Sequence, residues 1–216
     1  MHDSNLPHSF SAVLLLDVAD ALIHYRATDD QTSKRNLVRV LFTAIEGFIW
    51  IFREHISDAA QTLETIDPSE QAVLNEVSYH VDAKGRIYEQ TRFIPMLTMF
   101  RFIARLSEKI SPETKVDFSS AGWEQLRSAQ TIRNRITHPK STSDLRLDDE
   151  DVAIAIDAFY WAIEALEDAM DAVNVKVRSE LIEFNDIITK LRSGDPTTLN
   201  AYRAMKVYVE SESKHR

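Results

Sequence analysis

The stretch Ile132-Arg133-Asn134-Arg135-Ile136-Thr137-His138-Pro139-Lys140 holds the residues whose types and spacing could do chemistry. Arginine stays protonated and carries five N–H donors, so it can hold and stabilise anionic oxygen. Histidine exchanges a proton near neutral pH, and a helix C-terminus favours its charged form. Together they offer one cation and one proton carrier, suited to acid–base chemistry at a phosphate. Other catalytic signatures are absent from the sequence: it has no glycine-rich phosphate loop, no H-E-x-x-H, no nucleophile elbow and no histidine pair at metal-ligand spacing.

A helix must carry these residues. It opens at Ser119 or Ser120, runs through Trp123, Leu126 and Ala129, and is stopped by Pro139. At about 100° per residue, Ala121, Leu126, Ala129, Ile132 and Ile136 share one side, and Arg133 falls among them. A buried guanidinium must snorkel out or meet a carboxylate, because an unpaired buried charge is very costly. Arg127, Thr131, Asn134 and His138 form the opposite, polar stripe. Arg133 and His138 point roughly 140° apart, five steps of about 100°. Either the helix unwinds before His138, since the residue preceding a proline is pushed out of the α region, or the site is composed across a two-fold axis.

In a chain this rich in arginine the bare spacing is a weak signal, and the context sharpens it. An asparagine follows the arginine, a proline follows the histidine, an amphipathic helix with a tryptophan leads in, and a well-capped helix starts soon after. In that combination the segment resembles the R-x4-6-H motif of HEPN domains (higher eukaryotes and prokaryotes nucleotide-binding). The resemblance covers about 33–170 and is specific from 123 to 151. It implies an all-α, HEPN-like helical bundle and a metal-independent endoribonuclease, with a toxin–antitoxin or phage-defence role. These domains commonly dimerise, which implies a homodimer with two motifs at one cleft. It further implies RNA as substrate, Arg133 stabilising phosphate, His138 as general base or acid, and Asn134 orienting the histidine or contacting ribose. Arg127, Arg135 and Lys140 would help hold the strand, and an antitoxin or other regulatory protein would restrain the enzyme. HEPN toxins paired with a nucleotidyltransferase usually have a tyrosine two residues after the histidine. Lys140 stands there instead, so nucleotidylation at that point is not implied.

Composition agrees with helices: among 216 residues there are four glycines and six prolines. No cysteine is present, which excludes disulfides, thiolate metal sites and a cysteine nucleophile and leads to the expectation of a reducing cytoplasm. Residues His2, Asp3, Ser4 and Asn5 do not make a signal peptide, and no apolar run reaches membrane-spanning length, so no membrane partner is expected. No cofactor or metal is expected either. The net charge of −9 argues against broad coating of nucleic acid. Between Ala121 and Arg146, however, five basic residues (Arg127, Arg133, Arg135, Lys140, Arg146) face two acidic ones (Glu124, Asp144). A basic island in an acidic body suits a local anion site.

The periodicity predicts a first helix over 9–26, a polar connection over 27–32, and a second helix over 33–56 that is apolar nearly all round, as a central helix would be. Glu46 interrupts its apolar run, either as a carboxylate at the helix rim or as the partner of Arg133 or another motif arginine. Asp67-Pro68-Ser69-Glu70 starts a helix that frays toward Gly85, and Gly85 to Tyr88 suits a turn or a small strand. A helix over 95–110 is closed by Ser111-Pro112. From Asp148 a helical pattern of forty-odd residues follows, with a kink expected near 173–177. Asp148, Asp149, Glu150 and Asp151 complement its dipole rather than bind metal. A last helix starts at Asp195-Pro196, and the tail from Ser211 is expected to lack order. The chain reads as a bundle over 1–170 and a helical extension over 171–216 packed on the same domain. The competing functional reading is a non-catalytic helical module that binds nucleotides or proteins, with Arg133 in a structural ion pair and His138 capping a helix.

Overall fold

The computed structural model describes residues 9–212, and side chains up to 206. The expectations for residues 2–5 and for 213–216 lie outside these. The described residues form seven α-helices and one two-stranded hairpin, an all-α fold. They divide into two units, one ending at Val173 and the other beginning at Asn174.

In the first unit α1 (Phe10–Thr28) leads into α2 (Gln31–Thr62). The connection shrinks to Asp29 and Asp30. Asp29 turns the chain in the left-handed region (φ 44°), and Asp30 caps α2 by accepting from the Ser33 N–H at 2.7 Å while the Ser33 hydroxyl accepts from the Asp30 N–H at 3.1 Å. α2 is the central helix: Leu37, Leu41, Phe42, Ile45, Phe52 and Ile56 are fully buried. It runs past 56 because Ala59 and Ala60 continue its buried face. The expectation that it is apolar nearly all round needs correction. Arg35, Arg39, Thr43, Glu46, Trp50 and Arg53, none of them buried, fall within about 80° of one another at 100° per residue, which makes a polar stripe along the helix.

The helix starting at Asp67 is short. α3 (Pro68–Leu74) has the predicted capping box, with Asp67 Oδ1 accepting from Glu70 N–H at 2.9 Å. It does not fray toward Gly85. Glu76 adopts φ 53°, and the alternating, β-favouring Val77, Tyr79 and Val81 enter an antiparallel hairpin instead, β1 (Val77–Val81) against β2 (Ile87–Thr91). Gly85 supplies the positive φ of its turn. α4 (Met96–Ile110) and α5 (Ala121–Thr137) follow, then a single 3-10 turn (Thr142–Leu145) and α6 (Asp149–Ser193).

α6 spans the boundary between the two units, and its environment changes there. Val152, Ala155, Phe159, Ala162, Leu166, Ala169 and Val173 are buried, whereas among the described residues beyond Val173 none is. Leu181 and Phe184, which share the helical spacing of core residues, are exposed. In the second unit Gly194 (φ 76°) ends α6, and Asp195 caps α7 (Pro196–Glu212) by accepting from the Thr198 N–H at 2.8 Å.

α5 and α6 approach closely at Gly122, where a Cβ would lie 2.1 Å from Trp161 Cδ1. Around this contact Phe118 meets Trp123 edge-on at 4.8 Å and Phe100 meets Trp161 at 5.8 Å. Gly122→Ala is expected to destabilise the protein by about 1–3 kcal/mol through overpacking. Denaturant melts of a double-mutant cycle check this: the loss should be smaller once Trp161 has been shortened to Leu.

Candidate functional site

Five buried side chains, Trp123, Leu126, Ala129, Ile132 and Ile136, seat α5 on the core and leave its C-terminal end facing solvent. Arg133 lies at the edge of that buried face. Its Nη2 donates to Glu46 Oε1 at 3.0 Å and its Nη1 to Asn134 Oδ1 at 3.3 Å. Its side chain is 29% exposed and that of Glu46 45%, so the guanidinium snorkels and is paired at the same time. A pair this wet contributes little net stability; its effect is to orient the guanidinium.

His138 is the first residue off the helix. Its φ and ψ of −123° and 58° lie outside the α region, as expected before Pro139, although its N–H still donates to Asn134 O at 3.0 Å. Among the described residues the exposed imidazole has no hydrogen-bond partner. Arg133 and His138 line different pockets among the described residues. Arg133 faces a pocket of about 420 Å³ with Glu46, Trp50, Arg53 and Phe93. His138 lines another of about 500 Å³ with Asn134, Arg135, Lys140 and Asp144. Asn134 links the two, bonded to the arginine while lining the histidine's pocket.

The loop after His138 is held by Asp144, whose Oδ2 accepts from the N–H groups of Lys140 at 2.7 Å and Ser141 at 2.9 Å. The hydrogen bond from Lys140 is the main reason that its carboxyl titrates below the usual carboxylate range. Two arginines of α2, not singled out from the sequence, brace the same region. Arg39 Nη2 donates to Ile136 O at 3.1 Å, satisfying a last-turn carbonyl of α5, and Arg35 Nη1 donates to Leu145 O at 2.9 Å. The signal for them was the spacing of Arg35, Arg39, Glu46 and Arg53 on one stripe of an otherwise apolar helix.

The other basic residues differ in how far their charge is compensated. Arg127 pairs with Glu124 at 3.0 Å on the surface, and Arg135 with Asp151 at 2.7 Å. The side chains of Arg35, Arg39, Lys140 and Arg146 form no ion pair among the described residues. Positive charge is thus concentrated around the end of α5. At the start of α6, Asp148 Oδ1 accepts from Asp151 N–H at 2.8 Å and Asp149 pairs with the buried Lys34. The hydrogen bond to Asp149, with that to Asp29 after it, raises the Lys34 pKa against the opposing effect of burial. Among the described residues no group of three or more histidine and acidic side chains is disposed to hold a metal, and no helix is long and apolar enough to cross a membrane.

No protein-family model, no curated protein and no solved structure matches this chain.

Two outcomes are expected from this geometry. Arg133→Ala and Glu46→Gln should each lower stability by no more than about 1 kcal/mol, since the pair is partly exposed, and a thermal melt checks this. Because the Asp144 pKa is depressed in the folded state, its contribution to the turn is present at neutral pH and lost as pH falls through its folded value. Hydrogen-exchange protection of the Lys140 and Ser141 amides should therefore fall below the ordinary carboxylate range. In Asp144→Asn it should be low already at neutral pH.

Proposed function

We propose that this protein is a metal-independent endoribonuclease of HEPN type, cleaving RNA at a site completed in a symmetric homodimer. One observation carries the reading: Arg133, Asn134 and His138 all lie at the solvent-facing end of α5, the arginine aimed by Glu46 into one pocket and the imidazole, unengaged among the described residues, lining the next. In this mechanism His138 takes the proton from a ribose 2′-hydroxyl as that oxygen attacks the adjacent phosphorus. Arg133 stabilises the charge gathering on the phosphorane oxygens, and a second His138, from the partner copy, protonates the departing 5′-oxygen. The dimer answers two needs at once, because one chain has one such histidine and its Arg133 faces a different pocket. Lys140, Arg146, Arg35 and Arg39 supply local positive charge for the strand despite the net charge of −9. The motif's resemblance to HEPN toxins supports a toxin–antitoxin or phage-defence role with a regulatory protein partner.

A second reading is favoured by the Arg133–Glu46 pair itself, since a guanidinium neutralised within its own chain also suits a non-catalytic nucleotide-binding or protein-interaction module. Incubation of purified protein with labelled single-stranded RNA and total RNA in EDTA separates the two. Cleavage is expected, with specific activity following the dimer fraction on dilution. His138→Ala should lower the rate by about 10²–10⁴-fold, the usual contribution of general acid–base catalysis. Intact RNA with the wild-type dimer would leave the binding module as the reading.

A further inference from the structure

The pocket that Arg133 faces carries more than a phosphate contact needs. Besides the Arg133–Glu46 pair it holds a second one, Arg53 with Glu76 at 3.5 Å, so two cations are matched by two carboxylates. Between these pairs the wall is apolar and aromatic. Trp50 is 50% exposed and Phe93 87% exposed. The Phe10 ring meets Trp50 edge-on at 6.0 Å and helps fix its orientation. Phe93 sits on a pinned backbone, because Arg92 N–H donates to Glu76 O at 2.7 Å and Ile94 N–H to Glu76 Oε1 at 3.0 Å.

A pocket shaped for phosphate alone would leave its cations uncompensated, and one shaped for an apolar chain would not be edged by four charges. A planar neutral group with π faces and N–H and C=O edges suits both. Glu46 binds Arg133 through Oε1, and Oε2 has no partner among the described residues, so it is open to accept from such an N–H. The volume of about 420 Å³ falls in the range of small-ligand sites, about 300–1,000 Å³.

We infer that this pocket takes one unpaired nucleobase of an RNA strand, stacked on Phe93 and Trp50, with the neighbouring phosphate on Arg133. The inference rests on the ribonuclease reading for the identity of the strand. It makes the substrate single-stranded at that position, because a base within a duplex has both faces covered.

The test uses the full chain carrying His138→Ala, so that the expected loss of rate keeps RNA intact over the time of a titration. A labelled short single-stranded oligoribonucleotide, the matching duplex and free mononucleotides are titrated against it, with anisotropy giving Kd. A fluorescence change that is lost in Trp50→Ala reports the pocket, since of the three tryptophans Trp50 lines it, Trp123 is buried and the half-buried Trp161 lines another. The single strand should bind more tightly than the duplex and quench the fluorescence. Adding Phe93→Ala should weaken binding by about 5–150-fold, the loss of one base–aromatic stack, while Phe93→Tyr should retain it. Equal binding of duplex and single strand, or unchanged Kd in both Phe93→Ala and Trp50→Ala, would overturn the inference. Free nucleotide binding as tightly as the oligonucleotide would overturn the strand as occupant. If wild-type protein cuts RNA while Phe93→Ala and Trp50→Ala both bind normally, the pocket fails and the ribonuclease stands. The expected binding pattern without cleavage by wild type would have the converse meaning.

Discussion

The seam between α2 and α5 is the constraint on which the candidate site depends. α2 must bury Leu37, Leu41, Phe42, Ile45, Phe52 and Ile56 to make a core, and that burial orients the rest of the helix. Its polar stripe is thereby turned toward the end of α5, where Arg39 satisfies the Ile136 carbonyl, Arg35 the Leu145 carbonyl, and Glu46 the Arg133 guanidinium. A shift of α2 by one residue would rotate the stripe by about 100° and break all three. The apolar core and the polar site are two faces of one helix.

The same seam sets the electrostatics. Arg133 and Arg53 carry matched carboxylates, so the pocket they edge is nearly neutral and amphipathic. On the side of His138, Arg135 is paired with Asp151 while Lys140 has no ion-pair partner among the described residues, and Asp144 Oδ2 is engaged by backbone N–H groups of the turn. The end of α5 thus has a nearly neutral, aromatic pocket on one side and a more cationic surface on the other. Neither property follows from the net charge of −9, because short-range pairing decides which charges are felt.

Much of the fold could be read from local signals. The capping residues Asp67 and Asp195 with prolines after them, the stop at Pro139 and the central position of α2 rest on interactions within a few residues or on long apolar periodicity, and these are the features that survive into the structure. Signals that depend on competition were read less well. The hairpin at Val77–Thr91 was open to a helical reading because its two strands stabilise each other across a turn. Leu181 and Phe184 have core spacing and yet are exposed, since periodicity says which side is apolar and not whether anything covers it.

By itself the sequence determined an all-α fold class, a helix ending at a proline just after Arg133, Asn134 and His138, and the need of that arginine for an anion or an exit to solvent. Only the tertiary structure decided that the anion is Glu46, that Arg35 and Arg39 hold the carbonyls at the end of α5, and that Arg133 and His138 open onto different pockets. The reason is physical: capping and periodicity act over one or two helical turns, whereas the partner of a charge eighty-seven residues away is chosen by how two helices pack.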